Sequence, residues 1–181
     1  GDDNFDVAYD EDTLVVEKIN PELDIEATGD LVVDGEVNIT FTTPEDVDGI
    51  ITILVDGNEV EYTGANGTYT VTLNNLDAGI HTVVGYLEGD SNYNDMSIVE
   101  TFDIAKANAT FNIMVDDINV GDDEIIIFVL PADATGTVLF EIGDIKSYAV
   151  VENGIATATI SGLAEGNYTV NANYTGDDKY N

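Results

Sequence analysis

The chain has 181 residues, of which 37 are acidic and only 4 are lysine or arginine, so its formal net charge at pH 7 is −33. A surface this negative repels phosphate backbones and anionic lipid headgroups, which argues against nucleic acid as a ligand. No cysteine is present, which excludes disulfides and thiol chemistry. No run approaches the roughly 20 apolar residues of a membrane span, so we expect no membrane insertion within this segment. Because it starts at Gly1 and not at Met, we expect a processed form or an excerpt.

The sequence repeats itself with a long period. The hexapeptide GDDNFD at residues 1–6 returns as GDSNYN at 89–94 and as GDDKYN at 176–181. A period of this size indicates tandem modules. We therefore predict three parts. They are a segment 1–18 equivalent to the final strand of a preceding unit, module 1 at residues 19–106, and an incomplete module 2 at residues 107–181.

Alternation of apolar and polar residues, the period of a β-strand, runs through the chain and predicts an all-β fold. No helical stripe of useful length is present. The pairs Asp56-Gly57, Asn66-Gly67 and Asn153-Gly154 lie between alternating runs and predict hairpin turns. The predicted core-facing residues are Val37, Ile39, Phe41, Ile53, Val71, Val83, Val138, Phe140, Val170 and Tyr174.

A late turn in each module predicts a tyrosine corner, in which a tyrosine bonds back to the preceding turn. In module 2 the turn ends at Tyr168, and in module 1 the matching residue is His81, the only histidine. We therefore predict that His81 is a structural cap and not a metal ligand or a catalytic base.

The pattern Asn-Gly, strand, Leu-x-x-Gly-x-Tyr-Thr-Val, strand, Tyr-x-Gly-Asp-x-x-Tyr resembles the bacterial-type Ig-like repeat. Such repeats occur in tandem in adhesin-like surface proteins of bacteria and methanogenic archaea, and the acidic, Asn- and Thr-rich composition is similar to the archaeal members. The resemblance implies two tandem Ig-like antiparallel β-sandwiches with a structural and adhesive role outside the cell. Expected partners are adjacent repeats or copies of the chain, and surface glycans or proteins of other cells.

In this family the Gly-Asp-x-x-Tyr motif precedes the final strand of a module. Residues 97–104 fit that final strand in module 1, whereas the sequence of module 2 ends before the equivalent residues. Residues 7–17 also match the final strand, but no module precedes them in this sequence. Two interpretations stay open. The chain is a stalk excerpt cut in mid-domain, or residues 7–17 are a donor strand that fills module 2 of a neighbour and builds a head-to-tail filament. The donor-strand candidates are Val7, Tyr9, Leu14 and Val16.

Other candidate sites are less specific. Acidic clusters near predicted junctions could hold a structural calcium ion, with Asp116 and Asp117 as candidate ligands, although no complete EF-hand loop is present. Lys18 and Lys106 share one repeat position and are candidates for a covalent cross-link to an asparagine. The candidate glycosylation asparagines, each in an Asn-x-Ser/Thr site, are Asn38, Asn66, Asn108, Asn167 and Asn173.

Catalysis has little support, because the sequence contains no nucleophilic cysteine, no Gly-x-Ser-x-Gly and no paired histidines. We predict no catalytic residues and no cofactor apart from the candidate calcium. The alternative to a structural role is a calcium-dependent glycan- or protein-binding Ig-like module. That alternative needs an exposed aromatic platform, and Tyr62, Tyr86 and Tyr148 are scattered along the sequence.

Overall fold

The computed structural model describes Asp3 and residues 9–181. This part of the chain consists of strands and connecting turns and contains no helix, so it has no helix that could cross a membrane. The strands of module 1 are β1 (Asp24–Gly29), β2 (Val37–Thr42), β3 (Ile50–Val55), β4 (Asn58–Glu59), β5 (Thr63–Ala65), β6 (Thr68–Leu73), β7 (Gly79–Glu88) and β8 (Met96–Ile104). The strands of module 2 are β9 (Asn112–Met114), β10 (Glu124–Val129), β11 (Thr137–Ile142), β12 (Ile145–Val150), β13 (Ile155–Ile160) and β14 (Val170–Tyr174).

Each module consists of two antiparallel sheets. In module 1 the strand orders are β1-β2-β6-β5 and β4-β3-β7-β8. In module 2 they are β13-β10-β9 and β12-β11-β14. The predicted all-β sandwich architecture is therefore confirmed. The two modules differ at one edge, because β7 pairs with both β3 and β8, whereas β14 pairs with β11 alone among the described residues.

The alternating residues form two hydrophobic cores, one within each module. On β2, Val37, Ile39 and Phe41 are fully buried between the sheets of module 1. Burial of each such side chain contributes about 1.5–3 kcal/mol. Most of the predicted core residues are buried, but Val170 and Tyr174 are only half-buried. Both lie on β14, and no strand among residues 9–181 pairs with its outer side to cover them.

The predicted hairpin turns are present. Asp56 and Gly57, which join β3 to β4, have φ values of 50° and 78°. Two consecutive positive φ values define the turn whose twist matches antiparallel strands, and they favour Asp-Gly and Asn-Gly pairs. Asn66-Gly67 and Asn153-Gly154 adopt the same conformation.

The predicted strand near the start of the chain is not formed. Residues 9–18 belong to no sheet, and Val7 lies outside the described residues. Leu14 and Val16 are 86% and 85% exposed, whereas Phe102 and Ile104, at the same repeat positions in β8, are 8% and 1% exposed. The physical reason is that β8 already occupies the β7 edge of module 1, so the segment has no such edge to pair with there.

Candidate functional site

The Gly-Asp-x-x-Tyr motif of module 2 forms a compact turn around Asp177, which we call the clasp (residues 176–181). Asp177 Oδ1 accepts the N–H groups of Lys179 at 2.8 Å and Tyr180 at 2.7 Å. Its Oδ2 accepts the N–H and the hydroxyl of Thr135 at 2.7 and 3.0 Å. The Tyr180 hydroxyl donates to Asp133 Oδ1 at 2.9 Å, which ties the clasp to the turn at residues 131–134.

These donors decide the charge state of Asp177. Desolvation raises the pKa of this carboxyl, but the N–H groups of Thr135, Tyr180 and Lys179 outweigh it and hold the pKa well below its usual range. The carboxylate therefore stays ionised at any ordinary pH. Asp90 plays the same role in the module 1 clasp (residues 89–94), where the backbone N–H groups of Asp48, Asn92 and Tyr93 hold its pKa below the usual range.

Each clasp binds the chain where it enters its own module. In module 2 the Ala107 N–H donates to the Lys179 carbonyl, and the Ala107 carbonyl accepts from the Asn181 N–H, both at 2.9 Å. Ile19 makes the same pair of bonds in module 1, at 2.8 and 2.9 Å. The entry residue of each module is thereby fixed against its own last turn.

The final strand of module 1 leads almost directly into the module 2 clasp. Strand β8 ends at Ile104, Ala105 pairs with Val32, and Ala107 lies in the clasp. The connection between the modules is therefore held by backbone hydrogen bonds on both sides, at Ala105 to module 1 and at Ala107 to module 2. We call residues 104–107 the junction.

Two of the four lysines stabilise this junction. Lys106 Nζ donates to the carbonyl of Asp177. Lys179 Nζ lies 2.9 Å from Asp34 Oδ2 of module 1 and 2.6 Å from Asp133 Oδ2 of module 2. Both carboxylates are about half exposed, so these pairs add little free energy but offset the repulsion between two acidic modules.

Beside β14, module 2 has an open cavity of about 500 Å³, which we call the slot. It corresponds to the space that β8 fills in module 1. It is lined by Val115, Ile118, Val120, Glu124, Ile142, Leu163, Tyr168 and Val170, together with the neighbouring loop residues.

A comparison of the two modules shows what a final strand covers. Val33 is 6% exposed beneath the end of β8, whereas its counterpart Val120 is 71% exposed. Val83 is 1% exposed, whereas its counterpart Val170 is only half-buried. The slot therefore exposes apolar side chains such as Val120 and Val170 among polar ones, beside a sheet edge that no strand of the described residues pairs with. An added β-strand pairs with such an edge and covers the apolar side chains.

The predicted tyrosine corner forms one wall of the slot. The Tyr168 hydroxyl donates to the Ala164 carbonyl at 3.2 Å, and His81 Nε2 lies 2.9 Å from the equivalent carbonyl of Asp77. His81 Nδ1 also lies 2.7 Å from Asp56 Oδ2. Desolvation lowers the pKa of His81, but the bonds to Asp56 and Asp77 outweigh it and leave the pKa above its ordinary value. The predicted structural cap is confirmed, and the ring stacks on Phe102 of β8 at 5.4 Å.

Glu124 is the residue of the slot that sequence reasoning missed. It is 4% exposed, and its Oε1 accepts the Asp116 N–H at 3.1 Å. Its Oε2 has no hydrogen-bond partner among the described residues. The repeat could have identified Glu124, because it aligns this residue with Val37, a predicted core residue of module 1.

The other predicted sites are dispersed over the surface. Asn38 is half-buried on β2, and its Oδ1 accepts the Thr72 hydroxyl at 2.8 Å. The remaining sequon asparagines are exposed, and these are Asn66, Asn108, Asn167 and Asn173.

Asp116 and Asp117 lie at the rim of the slot, exposed to solvent. Within the described part of the chain, no three His, Asp or Glu side chains converge on a common point. Calcium binding at Asp116 and Asp117 stays a prediction, because the described residues contain no preformed set of ligands. Lys18 and Lys106 are both exposed, and Lys106 Nζ donates to the carbonyl of Asp177. The covalent link of these lysines to an asparagine stays a prediction.

The three candidate tyrosines lie on different strands and loops, Tyr62 and Tyr86 in module 1 and Tyr148 in module 2. Tyr62 donates to the Ile51 carbonyl and packs edge-on against Tyr69. Tyr86 lies on β7 of module 1, and Tyr148 lies on β12 of module 2.

The sequence is similar to part of a known adhesin. The inverse autotransporter adhesin YeeJ of Escherichia coli (strain K12) is 33% identical over 153 residues, a match that covers 73% of this chain and 6% of the adhesin. The chain thus spans a small fraction of that relative. No family model matches the chain. No solved structure matches it either.

Proposed function

We propose that this chain is a non-enzymatic structural segment of an extracellular adhesive protein at the cell surface, in which sandwich modules are joined through their final strands. The observation that carries the proposal is a pair of equivalent sites, of which one is filled by β8 and the other is filled by no strand of the described residues. The similarity to an adhesin supports the adhesive role. The exposed sequon asparagines would carry glycans in that location.

The slot of module 2 receives a final strand, and residues 9–18 of a second copy can supply it. Leu14 and Val16 occupy the repeat positions of Phe102 and Ile104, the two residues of β8 that are buried in the core of module 1. Ile104 precedes its clasped residue, Ala107, by three positions, and Val16 precedes Ile19 by the same number. A strand donated between copies would therefore reproduce the internal junction.

An array joined in this way forms a stalk. Each junction would be pinned by a strand on one side and a clasp on the other, which limits bending between modules. The net charge of −33 keeps such an array soluble and prevents its collapse on itself.

Light scattering and electron microscopy of the purified chain test strand donation. The chain is expected to form a concentration-dependent series of multiples of 19.4 kDa, with short filaments at high concentration. The double variant Leu14→Asp/Val16→Asp should remain monomeric, because a buried unpaired carboxylate is strongly unfavourable.

Val15→Asp is the matched control, since Val15 points to the opposite face of the strand and should tolerate the same charge. A monomer at every concentration, or equal assembly of the double variant and the parent chain, would refute donation between copies.

A further inference from the structure

Glu124 places a buried carboxylate in the slot, whose other acidic and amide side chains, those of Asp116, Asp117, Asn119, Glu165 and Asn167, are exposed to solvent. The side chain is 4% exposed, and the Asp116 N–H reaches only one of its two oxygens. Oε2 has no partner among the described residues. A buried carboxylate oxygen without a donor is costly, so an occupant that supplies a donor gains an advantage over one that does not.

The repeat shows where that donor must come from. Glu124 opens β10, and its counterpart Val37 opens β2. Val37 is completely buried in the same cluster as Phe102 and Ile104 of β8. A strand that fills module 2 therefore packs into a cluster that has a carboxylate in the place of Val37.

We infer that Glu124 makes the slot of module 2 selective for one kind of final strand, an inference that rests on the proposed strand-receiving function. The selected strand carries a hydroxyl or amine donor at the position equivalent to Ile104. Segment 9–18 carries Val16 at that position and supplies no donor. Glu124 thus weakens donation between copies and favours a strand of a different repeat. Module 1, with Val37, has no such preference.

Two peptides test this selection. One has the sequence of residues 8–18, and the other carries Val16→Thr, which replaces a methyl by a hydroxyl of nearly the same shape. Each is titrated calorimetrically into the 1–181 chain bearing Leu14→Asp/Val16→Asp, so that its own segment cannot compete. The Thr peptide is expected to bind about 10- to 100-fold more tightly, the advantage of a hydrogen bond to a charged group.

The same titrations into chains that also carry Glu124→Val or Glu124→Gln assign the preference to this residue. Glu124→Val restores the residue of module 1, and the preference should reverse, because the threonine hydroxyl is then buried without a partner. Glu124→Gln keeps the shape and should give a smaller preference than the parent.

Equal affinities for the two peptides, or a preference that persists in the Glu124→Val chain, would overturn the selection while leaving strand donation intact. Binding of neither peptide to any chain would overturn strand donation itself, and the inference with it.

Discussion

Replacing Ile104 with alanine is expected to lower the free energy of unfolding of module 1 by about 2–5 kcal/mol, the range for large-to-small changes at buried aliphatic residues. Ile104 is 1% exposed at the end of β8, in the core cluster that contains Val33 and Val37. Truncation leaves a cavity beneath the loop that Ala105 pins through its bridge to Val32. Urea unfolding followed by circular dichroism measures the loss.

Val16→Ala is the matched control, because Val16 occupies the same repeat position but is 85% exposed. In dilute chain its effect on stability should stay within about 0.5 kcal/mol. The contrast isolates the role of β8 as a filling strand. If both variants lowered the free energy of unfolding equally, burial of Ile104 at the β7 edge would not be the cause of its effect.

Asp177→Asn is expected to lower the free energy of unfolding of module 2 by about 1.5–3 kcal/mol at pH 7, the scale of hydrogen bonds to a charged group. Both carboxylate oxygens of Asp177 accept hydrogen bonds from backbone N–H groups. Asparagine keeps one acceptor oxygen, but its NH₂ group replaces the other oxygen and faces an N–H donor. Loss of these bonds also loosens the hold on Ala107. Asp178→Asn, one residue away and exposed, is the control and should have little effect.

The same pair of chains gives a pH signature. Because the folded pKa of Asp177 is lowered from its ordinary 3.8, its contribution is fully present above pH 3.8 and is lost as the pH falls through the folded pKa. The stability gap between parent and Asp177→Asn should therefore shrink only below pH 3.8. A gap that is absent at pH 7, or that closes between pH 7 and 5, would contradict this role.

The module organisation could be read from the sequence because the repeat and the strand period are both local patterns. The alternation on β2 specified which of Val37, Asn38 and Ile39 face the core, and the Asn-Gly pairs specified the turns. The exposure of Leu14 and Val16 could not be read in this way. The alternation around Leu14 and Val16 indicates that the segment can form a strand. Forming one also requires a nearby sheet with an unpaired edge strand, which the local pattern does not reveal.

The clasp and Glu124 show a second limit. The sequence identified the Gly-Asp-x-x-Tyr motif, but its bond from Tyr180 to Asp133 joins residues 47 positions apart. Glu124 follows Asp122 and Asp123, so the pattern favours an acidic loop. In the fold it is the first residue of β10 and points inward, because the register with β13 continues to the Glu124–Ile160 pair.

Amide hydrogen exchange of β14 tests most directly whether module 2 receives a strand. In the free chain the N–H groups of residues 170–174 on the side away from β11 should exchange rapidly, while those of β7, paired on both sides, should be protected. Addition of the 8–18 peptide with Val16→Thr should slow these β14 amides by about tenfold or more and leave β7 unchanged. Unchanged exchange in β14 at saturating peptide would contradict the account.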